Sequence, residues 1–261
     1  MNIHSTAIVS PQATLGDVVI GPYCVIGDHV TIGDGTVLHS HVVVKGHTTI
    51  GRENEFFSFS SIGEIPQDLK YRNEPTTLTI GNNNKIREFV TMNTGTVGGG
   101  GTTSLGDNNL LMAYVHVAHD CLIGNDNVLA NGVTFAGHVI VHDRTVVGGL
   151  CAIHQFVTLG EGCMIGGGSM VAQDILPFII AQGDRAGAVT INTVGLERRG
   201  YDKKEIELAK KGFRIIFRSG KSREEAIEDL LALDNTSYVI QKMVHFYRSS
   251  ERGLARCRKK E

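Results

Sequence analysis

The chain has 261 residues, and its 25 Lys and Arg nearly balance its 27 Asp and Glu. This balance argues against a protein that binds nucleic acid by neutralising phosphates over its whole surface, and a hydrophobic fraction of 41% excludes a disordered chain. No apolar run approaches the roughly 18 residues that a membrane span needs, and the N-terminus lacks the basic start and apolar stretch of a secretory signal. We therefore expect a cytoplasmic protein without an integral membrane segment.

Apolar residues recur at every sixth position over most of the first 171 residues. The register runs through positions 8–62, 80–92 and 105–171, and of its 25 positions only Thr14 is not apolar. A period of six fits the two-residue alternation of strands rather than the turn of a helix. Short strands with a turn every six residues predict a parallel β-helix, in which each coil pairs with the coil before it.

This register resembles that of the hexapeptide-repeat family, and the resemblance implies three hexads per triangular coil and a left-handed helix. Cysteine usage supports the register, because four cysteines occupy the slot that takes a small inward-facing side chain: Cys24, Cys121, Cys151 and Cys163. We interpret these four as core residues rather than as a disulfide framework or a zinc set. Cys257 is assigned no role.

Two interruptions break the register, at 63–79 and 94–104, and the second contains a run of four glycines. Loops inserted into a repeat protein usually gather on one face and often carry function. Both segments are therefore candidates for contributing to a site.

The hexads stop near residue 186, and between Asp202 and Arg248 the apolar spacing becomes helical. The sequence thus predicts a mainly β fold in two parts, a left-handed parallel β-helix at 1–186 and a C-terminal α-helical domain at 187–261. Gly220 and Asn235 separate three predicted helices. Helices this short cannot bury a large core alone, so we expect them to pack on the β-helix or on a neighbouring chain.

The coil geometry places three of the eleven histidines on one face. His119, His138 and His154 fall in adjacent columns of three successive coils, which are spaced by ~4.8 Å. Such a cluster can supply a base, a polar clamp and an oxyanion donor around one small substrate. We interpret most of the other histidines as solvated or packed residues: His29, His39, His41, His47 and His142.

Several segments, which follow one another in a fixed order along the chain, make the resemblance specific to one family. They are Ala118-His119-Asp120, Ala136-Gly137-His138, Ile153-His154-Gln155-Phe156, the first interruption around Asp68 and Lys70, Ala172-Gln173-Asp174, and Gly195 to Gly200. Together they resemble the UDP-N-acetylglucosamine O-acyltransferase family, which catalyses the first step of lipid A biosynthesis, over essentially the whole chain.

The resemblance implies transfer of a 3-hydroxyacyl chain from acyl carrier protein to the glucosamine 3-hydroxyl of UDP-N-acetylglucosamine. It also implies a homotrimer with sites between subunits. Neither a metal nor a bound cofactor is expected, because the phosphopantetheine arm arrives with the carrier protein.

The resemblance also implies roles for individual residues. His119 is the expected general base, since a sugar hydroxyl is a poor nucleophile near neutral pH. Asp120 would steady the imidazolium, and the Gly137 N–H would stabilise the oxyanion. The other expected substrate-binding residues near this group are His116, His138, His154 and Gln155.

Three further groups are expected to complete the site. Asp68 and Lys70 would reach the sugar and the donor carbonyl from the neighbouring chain. The nucleotide would contact Asn192, Arg198 and Arg199, and the acyl chain would lie in a groove at Gly167 and Met170. A basic surface on the predicted helices would steer the acidic carrier protein.

Two departures from the family pattern stand out. Val194 occupies a position where an acidic residue is expected, which puts the uracil contact there in doubt, and the segment 92–95 lacks the His-Arg-Gly pattern of some members. The sequence leaves open the acyl-chain length and whether the sugar presents a hydroxyl or an amine at its 3-position.

Other functions fit the residues less well. A γ-type carbonic anhydrase would need zinc held by three histidines, for which His116, His119 and His138 are the candidates, but its ligand pattern is absent. The related N-acyltransferase of the same pathway normally has an extra N-terminal domain, which the early start of the hexads argues against. An ice-binding β-helix needs a flat Thr array, and no outward column supplies one.

Overall fold

The computed structural model describes residues 1–257, and most of them form a left-handed parallel β-helix. Short strands alternate with turns around a triangular coil, because each hexad turns one aliphatic side chain inward and ends in a tight bend. Successive coils pair in register, so that Leu111 aligns with Leu129 and Leu129 with Val147. The hexad prediction is confirmed.

Three sheets form the faces of the β-helix. The first sheet contains β1 (Asn2–Ile3), β4 (Val19–Ile20), β7 (Val37–Leu38), β10 (Glu55–Phe56), β13 (Lys85–Ile86), β16 (Leu110–Leu111), β19 (Val128–Leu129), β22 (Val146–Val147), β25 (Met164–Ile165), β27 (Ile179–Gln182) and β28 (Gly187–Ile191). The second contains β2 (Ile8–Val9), β5 (Val25–Ile26), β8 (Val43–Val44), β11 (Ser61–Glu64), β14 (Thr91–Asn93), β17 (His116–Val117), β20 (Thr134–Phe135), β23 (Ala152–Ile153) and β26 (Met170–Val171). The third contains β3 (Thr14–Leu15), β6 (Val30–Ile32), β9 (His47–Ile50), β12 (Thr77–Ile80), β15 (Thr102–Leu105), β18 (Leu122–Ile123), β21 (Ile140–Val141) and β24 (Thr158–Leu159).

The core is the interior of the coil. The aliphatic hexad residues from Ile20 onward are buried, and burial of this apolar surface is the main stabilising term of the fold. The four predicted core cysteines are buried among them. Burial raises the pKa of the Cys121 and Cys163 thiols to about 12, which leaves both unreactive near neutral pH.

The two interruptions of the register leave the coil at the same corner, between the second and third sheets. The first inserted loop, residues 65–76, connects β11 to β12. The glycine-rich loop, residues 94–101, connects β14 to β15 in the next coil and includes a short 3-10 turn at Val97–Gly99. Both loops therefore emerge on one face, as the sequence predicts.

In the part of the chain that the structure describes, four helices follow the β-helix: α1 (Thr193–Arg198), α2 (Lys203–Arg218), α3 (Arg223–Asp234) and α4 (Tyr238–Ser249). The last three correspond to the predicted helices. Each begins after a capping residue whose side chain accepts a backbone N–H of the first helical turn, and these capping residues are Asp202, Ser222 and Ser237. The short α1 was not predicted. Within the described residues no helix has both the length and the apolar character of a membrane span.

The helical part is fixed to the β-helix by polar contacts as well as by apolar packing. The buried Glu161 accepts the hydroxyl of Tyr238 and pairs with Lys242 and Arg144. The strand β28 joins the first sheet antiparallel to β27, and α2 packs against it. The domain boundary at residue 186 stays a prediction.

Candidate active site

The predicted histidine cluster lies at the corner between the second and third sheets, in the coils directly beyond the glycine-rich loop. The rings of His119 and His138 meet edge to face, with their centroids 5.1 Å apart. His138 also stacks on Phe156 of the next coil at 4.4 Å. His154 and Gln155 lie one coil further and are exposed to solvent. The columns deduced from the hexads therefore place the three histidines on one face.

Asp120 connects the two inner histidines. Nδ1–H of His119 donates to Oδ2 of Asp120 at 2.8 Å, and Nδ1 of His138 is 3.8 Å from the same oxygen. The Asp120 side chain is fully buried, and a buried carboxylate must be satisfied by donors. The hydrogen bond fixes the ring orientation of His119 and leaves its Nε2 as the nitrogen that can accept a proton.

Gly137 lies against the ring of His119. A Cβ atom at Gly137 would come within 2.4 Å of Cε1 and 2.8 Å of Nε2 of His119, so no larger residue fits without moving the imidazole. Within residues 1–257 no group accepts a hydrogen bond from the Gly137 N–H. Gly137, whose N–H has no partner among the described residues, thus lies next to the ring of His119.

The environments of His116 and His138 favour their neutral forms. Burial lowers the pKa of His116, and the nearby His119 adds to this effect. His116 also exchanges a hydrogen bond of 2.8 Å with the Thr91 hydroxyl. Burial likewise lowers the pKa of His138, while the charges of Asp120 and Asp68 oppose that shift.

The first inserted loop carries Asp68, whose negative charge acts to raise the pKa of His138 in the same chain. The loop turns sharply here, because the N–H of Lys70 donates to Asp68 Oδ1 at 2.9 Å and the side chain of Lys70 stays exposed. The Asn93 amide anchors the start of the loop by donating to the carbonyl of Ile65 at 2.9 Å. That Asp68 and Lys70 reach the site of a neighbouring chain stays a prediction.

The residues expected to contact the nucleotide lie at a different corner of the β-helix, between the third and first sheets. Asn192 is buried and caps α1, since its side chain accepts the N–H of Gly195 and donates to the carbonyl of Gly162. The Arg199 guanidinium donates to the carbonyls of Gly162 and Arg144, and its burial lowers its pKa. Arg198 alone among the three extends into solvent.

Val194 is 55% exposed on α1, one turn before Arg198. The exposed surface beside Arg198 thus presents an apolar side chain where an acidic residue was expected. The structure therefore shows no acidic group at this position for a uracil to contact.

The acyl groove at Gly167 and Met170 stays a prediction. Met170 is 44% exposed and shares a cavity of about 610 Å³ with His154, Arg185 and Arg252. Gly167 lies at the corner before β26 and is not among the described residues that line this cavity. A Cβ at Gly167 would lie 3.3 Å from the carbonyl oxygen of Gly149, a tight contact.

A zinc site of three histidines does not form among the described residues. The group whose possible ligand atoms lie within 4.8 Å of one another consists of His119, Asp120 and His138, and it leaves out His116.

The glycine-rich loop supplies contacts that the sequence did not predict. The N–H and the hydroxyl of Thr96 both donate to the Asp120 carboxylate, and the Asp120 N–H donates to the Thr103 hydroxyl. The only feature of the sequence that indicates these contacts is the position of the second interruption, one coil before His119. The hexad register indicates where the loop leaves the coil but not where its side chains point.

Comparison with known proteins agrees with this geometry. A family model described as UDP N-acetylglucosamine O-acyltransferase, domain 2, matches residues 174–255. The bacterial transferase hexapeptide model matches residues 16–46 and 102–137. The chain is 49% identical over 254 residues, 97% of each protein, to the acyl-[acyl-carrier-protein]--UDP-N-acetylglucosamine O-acyltransferase of Aliarcobacter butzleri strain RM4018.

Solved structures show the same likeness. LpxA from Acinetobacter baumannii is 46% identical with a TM-score of 0.95, over 97% of this chain and 99% of the other. The UDP-N-acetylglucosamine O-acyltransferase from Moraxella catarrhalis is 43% identical with a TM-score of 0.96, over 98% and 100%. With identity of this level over nearly the full length, a hexapeptide β-helix and the helical domain of the family model, the chain belongs to the UDP-N-acetylglucosamine O-acyltransferase family.

Proposed function

We propose that this chain transfers a 3-hydroxyacyl group from acyl carrier protein to the 3-hydroxyl of UDP-N-acetylglucosamine, the first step of lipid A biosynthesis. The relatives from Aliarcobacter butzleri and Moraxella catarrhalis are both named as O-acyltransferases of UDP-N-acetylglucosamine, and the name of the Aliarcobacter butzleri protein adds acyl carrier protein as the acyl donor. The observation that carries the proposal is the hydrogen-bonded pair of His119 and Asp120 next to Gly137, whose N–H has no acceptor within residues 1–257. A base next to an oxyanion donor is what acyl transfer to a hydroxyl requires.

In the proposed reaction Nε2 of His119 takes the proton of the sugar hydroxyl as its oxygen attacks the thioester carbonyl. The Gly137 N–H donates to the oxyanion of the tetrahedral intermediate, which develops next to the imidazole. The intermediate then collapses, the carbon–sulfur bond breaks, and the new imidazolium returns the proton to the leaving thiolate of phosphopantetheine. The products are the ester and the free thiol, and no cofactor is consumed.

Asp120 supports both halves of this cycle. Its hydrogen bond to Nδ1 of His119 holds one ring orientation, and its negative charge stabilises the imidazolium that forms during attack. The neutral forms favoured for His116 and His138 suit polar contacts to a sugar without adding positive charge beside the base.

We also propose a homotrimer with sites between subunits. The support is the placement of the residues expected to contact the nucleotide, because Arg198 ends α1 and Arg199 follows it near one corner, while His119 and His138 occupy another. Two chains packed corner to corner would let one sugar nucleotide contact both groups. Trimer assembly would bring the corners of neighbouring chains together.

The acidic carrier protein is proposed to dock on α2. Lys203, Lys211 and Arg214 are exposed along this helix, whereas Lys204 and Lys210 pair with Asp234 and Glu207. Long-range attraction to such a surface accelerates association and weakens with salt. The cytoplasmic location stays a prediction.

Product analysis tests the proposal. The purified protein is incubated with 3-hydroxyacyl carrier proteins of several lengths and with UDP-N-acetylglucosamine or its 3-amino analogue, and products are identified by mass spectrometry. The expected result is an acylated sugar nucleotide that is absent with His119→Ala. The two acceptors identify hydroxyl or amine chemistry, and the preferred donor gives the chain length. Absence of any acylated product in a trimeric sample would refute the proposal.

A further inference from the structure

The glycine-rich loop closes over the buried side of Asp120. Within this loop Thr96 donates twice to the carboxylate, from its N–H to Oδ1 at 2.8 Å and from its hydroxyl to Oδ2 at 2.6 Å. Oδ2 also accepts Nδ1–H of His119. Three donors thus converge on one carboxylate with no solvent exposure, and hydrogen bonds to an ionised acceptor of this kind are among the strong ones.

The two hydrogen bonds from Thr96 matter because two imidazoles face Oδ2 of Asp120. Oδ2 lies 2.8 Å from Nδ1 of His119 and 3.8 Å from Nδ1 of His138. A small rotation of the carboxylate would weaken the contact to His119 and favour the other ring. With both oxygens held by Thr96, that rotation costs hydrogen bonds to a buried charged group, so the carboxylate stays directed at His119.

The loop can approach this closely only because residue 99 is glycine. A Cβ at Gly99 would lie 2.1 Å from Cγ and Oδ2 of Asp120, whereas a Cβ at the adjacent Gly98 would meet nothing within 4 Å. Gly99 therefore forms part of the cover that keeps water from the carboxylate. The two glycines are adjacent in the same turn and differ in their proximity to Asp120, which makes them a useful pair for mutation.

We propose that Thr96 is a positioning residue for acyl transfer. Together with Gly99 it holds Asp120 so that Oδ2 accepts from His119, which keeps the lone pair of His119 Nε2 directed at the sugar hydroxyl. Neither residue touches the substrate in this arrangement; both act through Asp120. This inference rests on the roles proposed above for His119 and Asp120.

The first test compares Thr96→Val with Thr96→Ser. Valine preserves the shape and the backbone donor but removes the hydroxyl, so we expect kcat to fall roughly 10- to 100-fold while both KM values stay within about threefold. Serine keeps the donor and should retain nearly full kcat. Wild-type kcat for Thr96→Val, an equal loss in Thr96→Ser, or a loss confined to KM would overturn the inference.

The second test compares Gly99→Ala with Gly98→Ala, with melting temperatures measured alongside. We expect Gly99→Ala to lower kcat at least tenfold because its Cβ displaces the carboxylate, and Gly98→Ala to match the wild type. Wild-type activity in both variants would contradict the proposed role of Gly99 in covering Asp120. An equal loss of activity in both variants would also contradict it, because it would point to the loop as a whole.

A double-mutant cycle separates this inference from the proposed function. In an Asp120→Asn background Thr96→Val should cost almost nothing further in kcat, since its effect passes through the carboxylate. If Asp120→Asn alone retains full kcat, the proposed role of Asp120 fails. If Asp120→Asn is slow and Thr96→Val is either harmless alone or equally costly in both backgrounds, only the positioning role fails.

Discussion

Gly137→Ala is the sharpest probe of the candidate site, because the new methyl group would meet the proposed base. Its Cβ would lie 2.4 Å from Cε1 of His119, whereas unbonded carbon atoms prefer about 3.5 Å or more. The imidazole must therefore withdraw by about 1 Å. A displacement of that size at a catalytic group costs on the order of 10²-fold in rate, and disturbance of the oxyanion donor adds to it.

Steady-state kinetics with an acyl carrier protein donor and UDP-N-acetylglucosamine measure this effect. We expect kcat to fall by about 10²-fold or more, with a much smaller change in the KM for the nucleotide. Gly27→Ala serves as the control, because its Cβ would make ordinary contacts from 3.4 Å outward in another coil. A Gly137→Ala protein with kcat within threefold of wild type would refute the arrangement of base and oxyanion donor.

Two further predictions concern residues outside this pair. Arg198→Ala should raise the KM for the nucleotide without changing the melting temperature. Arg199→Ala should instead lower the melting temperature by several degrees, because it loses hydrogen bonds to Gly162 and Arg144 worth about 1–3 kcal/mol. Equal melting temperatures for the two variants would contradict this prediction. Burial lowers the pKa of His116 below its ordinary value of 6.5, so the unfolded chain takes up a proton that the folded protein resists. Stability from this group is full above about pH 6.5 and declines as the pH falls below it, and His116→Gln should flatten the loss in denaturant titrations between pH 7 and 5; an unchanged slope would contradict it.

The sequence predicts the part of the site that follows the hexad register. A strict repeat fixes which residues stack, so the register alone aligns His119, Gly137 and Gln155 in one column. The same register correctly assigns Cys121 and Cys163 to the core. In a repeat protein these alignments follow from pairing between neighbouring coils alone.

Residues outside the register are harder to place from the sequence. The Thr96 contacts depend on the path of an inserted loop, which no periodicity describes. Asn192 and Arg199 are expected from the sequence to contact the nucleotide, and no pattern in the sequence indicates that both side chains also donate to the carbonyl of Gly162. The helix α1, six residues long, is too short to show a helical period.

The most direct test of the proposed mechanism is the turnover of His119→Ala together with its affinity for UDP-N-acetylglucosamine. Single-turnover acyl transfer is followed by mass spectrometry, and nucleotide binding is measured by calorimetry on the same trimeric preparation. If His119 is the base, the variant binds the nucleotide within about threefold of wild type and forms product at least 10²-fold more slowly. Product formation at the wild-type rate would contradict the central claim.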